Sequence, residues 1–189
     1  MQCPLPSNDT CEHLGEILVT PDEIDLAVKR VACELRAAYT HNASVLSLVL
    51  LEGARWFAND LFAQLADQRF ERRDFKASSY HGGTQSSGTV RSESSFPCSI
   101  QGRSVLIIDD IYDTGRTLHH ILARLDQAGA TDIKTCVMFE KQCPHLQSID
   151  LDFCGLTVPD RFLVGYGLDF EEHYRDLRCV GVLPQHIDL

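Results

Sequence analysis

The sequence lacks much of what several protein classes require. Its longest apolar run, VLSLVLL (45–51), is far too short to cross a bilayer as a helix. The opening MQCPLPSNDT holds neither a basic stretch nor an apolar one, so no secretory signal is legible. Basic residues are scarce: 17 Lys and Arg stand against 27 Asp and Glu, a formal net charge of −10. That balance argues against non-specific binding to nucleic acid or to an acidic membrane, both of which reward a basic surface. No strand-like run is followed by G-x-G-x-x-G, and G-x-x-x-x-G-K-[ST] is missing, so neither a dinucleotide fingerprint nor a nucleoside triphosphate loop is present. The eight cysteines (3, 11, 33, 98, 136, 143, 154 and 179) form no C-x-x-C pair and no Cys/His spacing of zinc-site type. Several, such as Cys33 and Cys136, lie in apolar runs. The expectation is therefore reduced thiols packed as small hydrophobes in a cytoplasmic protein, rather than a disulfide framework.

What is present suits one domain. The 189 residues are 44% hydrophobic and 23% charged, ordinary values for a globular chain able to build a sizeable core. Residues 1–19 read as an arm. TPDEI then opens a helix, with Thr20 as N-cap, Pro21 in the first turn and Glu23 closing a capping box. Ile24, Ala27, Val28, Val31, Ala32 and Leu35 form one apolar stripe behind it. SVLSLVLL (44–51) and SVLIID (104–109) read as strands buried on both faces, as parallel strands are. EGARWFANDLFAQLADQ and GRTLHHILARLDQAG follow them as helices. FERRDFKASSY alternates like a half-exposed strand, and DIKTCVMFEK reads as another strand. The alternation predicts an α/β fold with a mainly parallel central sheet flanked by helices. Ligands of such sheets lie beyond the C-terminal strand ends, where both LLEGA and DDIYDTGRT fall.

VLIIDDIYDTGRTL (105–118) carries the chemistry. Asp113-Thr114-Gly115-Arg116-Thr117 is a small-residue turn opening a helix, able to wrap a phosphate with backbone N–H groups and two threonine hydroxyls. Asp109 and Asp110 stand at the strand end beside it. Acids belong next to an anion site when the phosphate is part of a larger ligand: a ribose diol wants acceptors, and a pyrophosphate brings Mg²⁺, which wants oxygen ligands. The third acid, Asp113, could handle a proton. Taken singly, Asp113 reads equally well as a helix cap and Asp109-Asp110 as a solvated strand end.

The run resembles the phosphoribosyl-pyrophosphate (PRPP) motif of type I phosphoribosyltransferases. LLEGARWFANDL resembles the pyrophosphate-loop region of the hypoxanthine-guanine branch, SSYHGGTQSSGTV its Ser-Tyr mobile loop, and VPDRFLVGYGLDFEEHYRDL its purine-binding hood. The similarity spans about residues 12–183. It implies a single phosphoribosyltransferase domain over 1–189, with a hood from about 151–189 plus the N-terminal arm, and a mobile loop at about 81–95 carrying Ser79 and Tyr80 at its start. The implied reaction is transfer of the phosphoribosyl group from PRPP to hypoxanthine or guanine, with Mg²⁺. A xanthine-preferring enzyme is the nearer alternative. A PRPP-sensing regulator that binds nucleic acid is the farther one, and it would want a basic face or an added domain. The resemblance further implies these roles. Asp109 and Asp110 hold the ribose hydroxyls directly or through Mg²⁺, and Asp113 is the base near purine N7. Thr114 to Thr117 grip the 5′-phosphate. Leu51, Glu52, Gly53 and Arg175 meet pyrophosphate, and Asp169 is a Mg²⁺ ligand. Ile111 and Phe162 pack on the base, Lys141 donates to O6, and Leu163 and Asp169 offer backbone carbonyls to the guanine amino group. Glu52 departs from the lysine often found there. For Lys141 a surface lysine, and for Phe162 a plain core aromatic, are the alternatives. Small-molecule substrates are implied, without nucleic acid or membrane, and a homodimer or homotetramer.

Overall fold

The computed structural model describes residues 11, 14–39, 44–76 and 95–183. Ser79, Tyr80 and nearly all of the expected mobile loop lie outside the described residues.

The chain enters through β1 (Glu16–Val19) and turns into α1 (Pro21–Ala38). The capping box is made as expected: the Glu23 N–H donates to Thr20 Oγ1 at 3.4 Å, and the Thr20 N–H donates to Glu23 Oε2 at 2.8 Å. The six-residue stripe read from the sequence is the buried face of this helix. Then follow β2 (Val45–Leu51), α2 (Arg55–Leu65), β3 (Phe70–Lys76), β4 (Ser104–Tyr112), α3 (Arg116–Gln127), β5 (Asp132–Gln142) and β6 (Phe153–Pro159). These strands form one five-stranded sheet in the order β3-β2-β4-β5-β6, parallel throughout.

Side chains of the two central strands divide by the period of two that a strand imposes. Val45, Val49, Leu106 and Ile108 pack with α1 and α2 on one face. Leu46, Leu48, Leu50, Val105 and Ile107 pack with Leu118, Ile121 and Leu125 of α3 on the other. Both faces are covered, which is why these segments read as continuous apolar runs.

Strand order then locates the site. From β2 the chain steps outward to β3, and from β4 it steps the opposite way to β5, so the order reverses between β2 and β4. Pairing of β2 with β4 ends at Val49↔Ile108, whereas β4 stays paired with β5 as far as Tyr112↔Glu140. The carboxyl ends of β2 and β4 therefore part at the switch point, where open α/β sheets bind ligands.

A second, three-stranded antiparallel sheet, β1-β8-β7, combines the start of the chain with β7 (Leu163–Val164) and β8 (Val180–Val182). Residues 153–159, within the stretch read as hood, instead form the edge strand β6 of the central sheet. Tyr166 and Arg178 both donate to Asp60 Oδ2 of α2, at 2.7 and 2.8 Å, and hold the small sheet's connecting segment against the main body. The expectation of reduced cysteines fails for one pair: Cys11 and Cys179 form a disulfide across 168 residues of sequence. Their spacing gave no hint because antiparallel β1–β8 pairing, not sequence proximity, brings them together. Among the described residues Cys33, Cys98, Cys136, Cys143 and Cys154 are free thiols.

Candidate active site

A cavity of about 600 Å³ fills the parting between β2 and β4. Its walls include Leu51, Glu52 and Gly53 from the end of β2, Asp109 to Asp113 from β4, Thr114, Gly115 and Thr117 from the turn, and Asp169 and Arg175 from the segment between β7 and β8.

Each wall has a local cause. The Leu51–Glu52 peptide is cis, as relatives of the resembling family can hold it. Gly53 leaves room for the Asp110 carboxylate: a Cβ there would lie 1.6 Å from Asp110 Oδ2, so any side chain would push that acid out of its place. On the opposite side Gly115 adopts φ +79°, and its Cβ would lie 2.2 Å from the Gln147 carbonyl oxygen. Gly115 is also the N-cap of α3, and no side chain caps that helix. The alternative of Asp113 as a helix cap thus loses its support; the Arg116 N–H makes only a long 3.5 Å bond to Thr114 Oγ1, and the start of α3 can turn its N–H groups to an anion.

Asp109 is buried and Asp110 partly so. Desolvation raises the carboxyl of Asp109 well above its usual range, and its neighbour Asp110 raises it further. Burial also raises Asp110, against the lowering effect of its hydrogen bonds with Asp109 and with the Ile111 N–H, the latter at 2.8 Å. Two acids crowded in low dielectric favour an added cation or donor. Among the described residues no group of three or more acids, histidines or cysteines is arranged to hold a metal. Asp169 instead pairs with Arg175 at 2.8 Å and accepts the Glu172 N–H at 2.9 Å.

Asp113 turns its carboxylate to Lys141, whose Nζ lies 2.8 Å from Oδ2. The Lys141 side chain is only 13% exposed, so it is no ordinary surface lysine. Lys141, Arg116, Leu163 and Phe162 are not among the residues that line this cavity, although Lys141 touches its wall through Asp113. Leu163 is buried in β7. Phe162 is 58% exposed and meets Phe170 edge-on at 6.0 Å, so it is not a core aromatic. Glu52 pairs with Arg55 at 2.6 Å and approaches Lys76 at 3.7 Å. Lys76, Tyr112 and Glu172 line the cavity and were not singled out from the sequence. Lys76 reaches it through the Leu51↔Lys76 register of β2 and β3, which no local pattern reveals.

With this geometry in view, comparison with known proteins defines the class. Residues 20–171 match the family model described as the phosphoribosyl transferase domain. The chain belongs to that family. It is similar to the hypoxanthine-guanine phosphoribosyltransferase of Lactococcus lactis subsp. lactis, at 37% identity over 174 residues, covering 92% of this chain and 93% of the relative. The enzyme of the same name from Streptococcus pneumoniae strain R6 is 34% identical over 174 residues, covering 92% of this chain and 96% of the relative. Among solved structures, a hypoxanthine phosphoribosyltransferase from Staphylococcus aureus matches with a TM-score of 0.83 at 30% identity, over 94% of this chain and 96% of that one. No described helix is long and apolar enough to cross a membrane.

Proposed function

We propose that this chain is a purine-salvage enzyme that transfers the 5-phosphoribosyl group from PRPP to N9 of hypoxanthine or guanine, giving the nucleoside monophosphate and pyrophosphate. The Asp113–Lys141 pair beside the cavity carries this reading. Purine N7 and O6 lie on one edge of the base. A neighbouring carboxylate and ammonium offer that edge an acceptor for the N7–H and a donor for O6.

In the reaction N9 attacks C1′ of PRPP, the C1′–O bond breaks, and pyrophosphate leaves with the electron pair. Asp113 takes the proton from N7 as the C1′–N9 bond forms. Positive charge develops on the ribose as the bond loosens. Asp109 and Asp110, which line the cavity, offer their carboxylates to the ribose hydroxyls and to that charge, so they favour the transition state over the ground state. Thr114 to Thr117, at the uncapped start of α3, bind the 5′-phosphate. Arg175 and the backbone of Leu51 to Gly53 face the departing pyrophosphate.

The acids fit Mg²⁺. Asp109 and Asp110 are held near each other with raised carboxyls, and Mg²⁺ is commonly bound by one or two carboxylates plus substrate phosphates rather than by an all-protein cage. When bound with PRPP it would neutralise the pyrophosphate. Ile111 and Phe162 for stacking, carbonyls of Leu163 and Asp169 for the guanine amino group, and lid contacts from Ser79 and Tyr80 complete the reading. A cytoplasmic location belongs to the same reading, and the Cys11–Cys179 bridge is the observation that stands against it, since disulfides are rare in that compartment. Assembly as a homodimer or homotetramer belongs to the same reading.

The test is initial-rate synthesis with PRPP and hypoxanthine, guanine, xanthine or adenine, with and without EDTA. Rapid, EDTA-sensitive use of hypoxanthine or guanine supports the assignment. Preference for xanthine would narrow it differently, and comparable use of adenine would overturn it.

A further inference from the structure

The β5–β6 connection plays no part in the reaction as derived above, yet it is bolted to the catalytic turn. Gln147 donates its N–H to the Thr114 carbonyl at 3.1 Å. The Tyr112 hydroxyl donates to the Gln147 carbonyl at 2.7 Å and accepts the Ile149 N–H at 2.9 Å. The missing Cβ of Gly115 is what lets Gln147 approach so closely. Between these contacts sits His145. Its ring lies against Tyr112 with centroids 4.0 Å apart and the planes tilted by 33°, its Nδ1 is hydrogen-bonded to the Asp113 carbonyl with Cys143 Sγ 3.8 Å away, and its Nε2 lies 4.0 Å from Glu140 Oε1. The Cys143 thiol touches the same residue, with Sγ 3.9 Å from the Asp113 carbonyl oxygen and from Oδ1.

We propose that His145 is a positioning residue for Asp113: its Nδ1–H anchors the Asp113 carbonyl and so fixes where the Asp113 carboxylate points. A carbonyl oxygen only accepts, so Nδ1 carries the proton of this bond. The imidazole cannot swing away, because Tyr112 covers its face and is itself tied at both sides to the loop. With its backbone held from outside, Asp113 keeps one carboxylate oxygen on Lys141 and presents its acid group to the cavity. Alignment matters because a misplacement of about 1 Å can lower a rate about a hundredfold. The inference rests on the reading of Asp113 as proton acceptor.

Three replacements of His145 test it. The asparagine amide N–H₂ falls close to where Nδ1 was, whereas that of glutamine reaches the place of Nε2. His145→Ala should lower kcat about 10- to 100-fold, with KM for hypoxanthine and PRPP changed less than about threefold. His145→Asn should recover most of the loss and His145→Gln should not. Nitrogen NMR of the wild-type imidazole should find Nδ1 protonated in the free enzyme. A wild-type kcat in His145→Ala, equal recovery by Asn and Gln, or a bare Nδ1 would each overturn the proposal. If His145→Ala folds poorly, the Asn–Gln ranking and the NMR measurement still decide. Asp113→Asn is assayed alongside. Full activity in that variant removes the proton-acceptor reading itself, whereas an inactive Asp113→Asn with an indifferent His145 series removes this inference alone.

Discussion

Replacing Asp113 by asparagine separates two roles that one side chain could have. Asparagine caps helices about as well as aspartate, so a capping role would lose little. As the acceptor of the N7 proton, Asp113 would be missed in the rate: Asp113→Asn should lower kcat by about 10²–10⁴-fold with the melting temperature nearly unchanged. Steady-state kinetics with thermal unfolding on the same sample decide it. Lys141 is the companion test. An ammonium has donors only, so in the proposed role it would satisfy the O6 of hypoxanthine and guanine and would repel the amino group of adenine. A hydrogen bond to a charged group contributes about 1.5–3 kcal/mol, so Lys141→Ala should weaken both 6-oxopurines about 10- to 150-fold and narrow the gap to adenine. Unchanged selectivity would move the O6 contact to another donor. At this scale the acids and the turn were legible because the PRPP-like motif is contiguous. The Asp113–Lys141 pairing joins residues 28 apart in sequence, so its contact was not legible from the residues alone.

At the scale of elements, the turn between β4 and α3 concentrates the constraint. Gly115 has φ +79°, a conformation that costs an L-residue roughly 1–2 kcal/mol. Its added methyl would also press on the Gln147 carbonyl at 2.2 Å. Gly115→Ala should therefore destabilise the protein by more than that backbone term alone. Because the same turn presents the first N–H groups of α3, the KM for PRPP should rise as well. Urea unfolding and PRPP titration read the two effects separately, and a loss below about 1 kcal/mol would mean the turn relaxes freely. The helices were readable from end signals, as Thr20, Pro21 and Glu23 show for α1. Strand ends were less so: β4 runs on to Tyr112, beyond the segment read as 104–109, because β5 continues to pair with it. The arm read at residues 1–19 contains β1, whose partner β8 lies at the other end of the chain and leaves no periodic trace.

For the whole molecule, the alternation of strand and helix sufficed for the parallel sheet and for its ligand crevice, because each βα unit is written contiguously. What joins the two ends of the chain was not written so. The Cys11–Cys179 bridge closes 168 residues, and in the chain-entropy account a loop of that size restricts the unfolded state by up to about 5 kcal/mol. It also fastens the start of the chain beside Leu14, Val164, Tyr174 and Leu177, the small apolar cluster behind the segment that carries Asp169 and Arg175. Reduction by a dithiol, which turns the bridge into two thiols as the reductant becomes a cyclic disulfide, should thus lower the urea midpoint clearly. Asp109 and Asp110 stand on β4 of the central sheet and not on the small sheet that the bridge joins, so kcat of the folded enzyme should change less than about twofold, whereas KM for PRPP, through Arg175 on the segment beside the bridge, is the constant expected to shift. Cys179→Ser should reproduce the loss of stability and be insensitive to the reductant. Peptide mapping without reduction should recover the Cys11 and Cys179 peptides joined. Wild-type unfolding indifferent to the dithiol, with the two peptides recovered apart, would instead return both cysteines to the packed thiols that their spacing suggested.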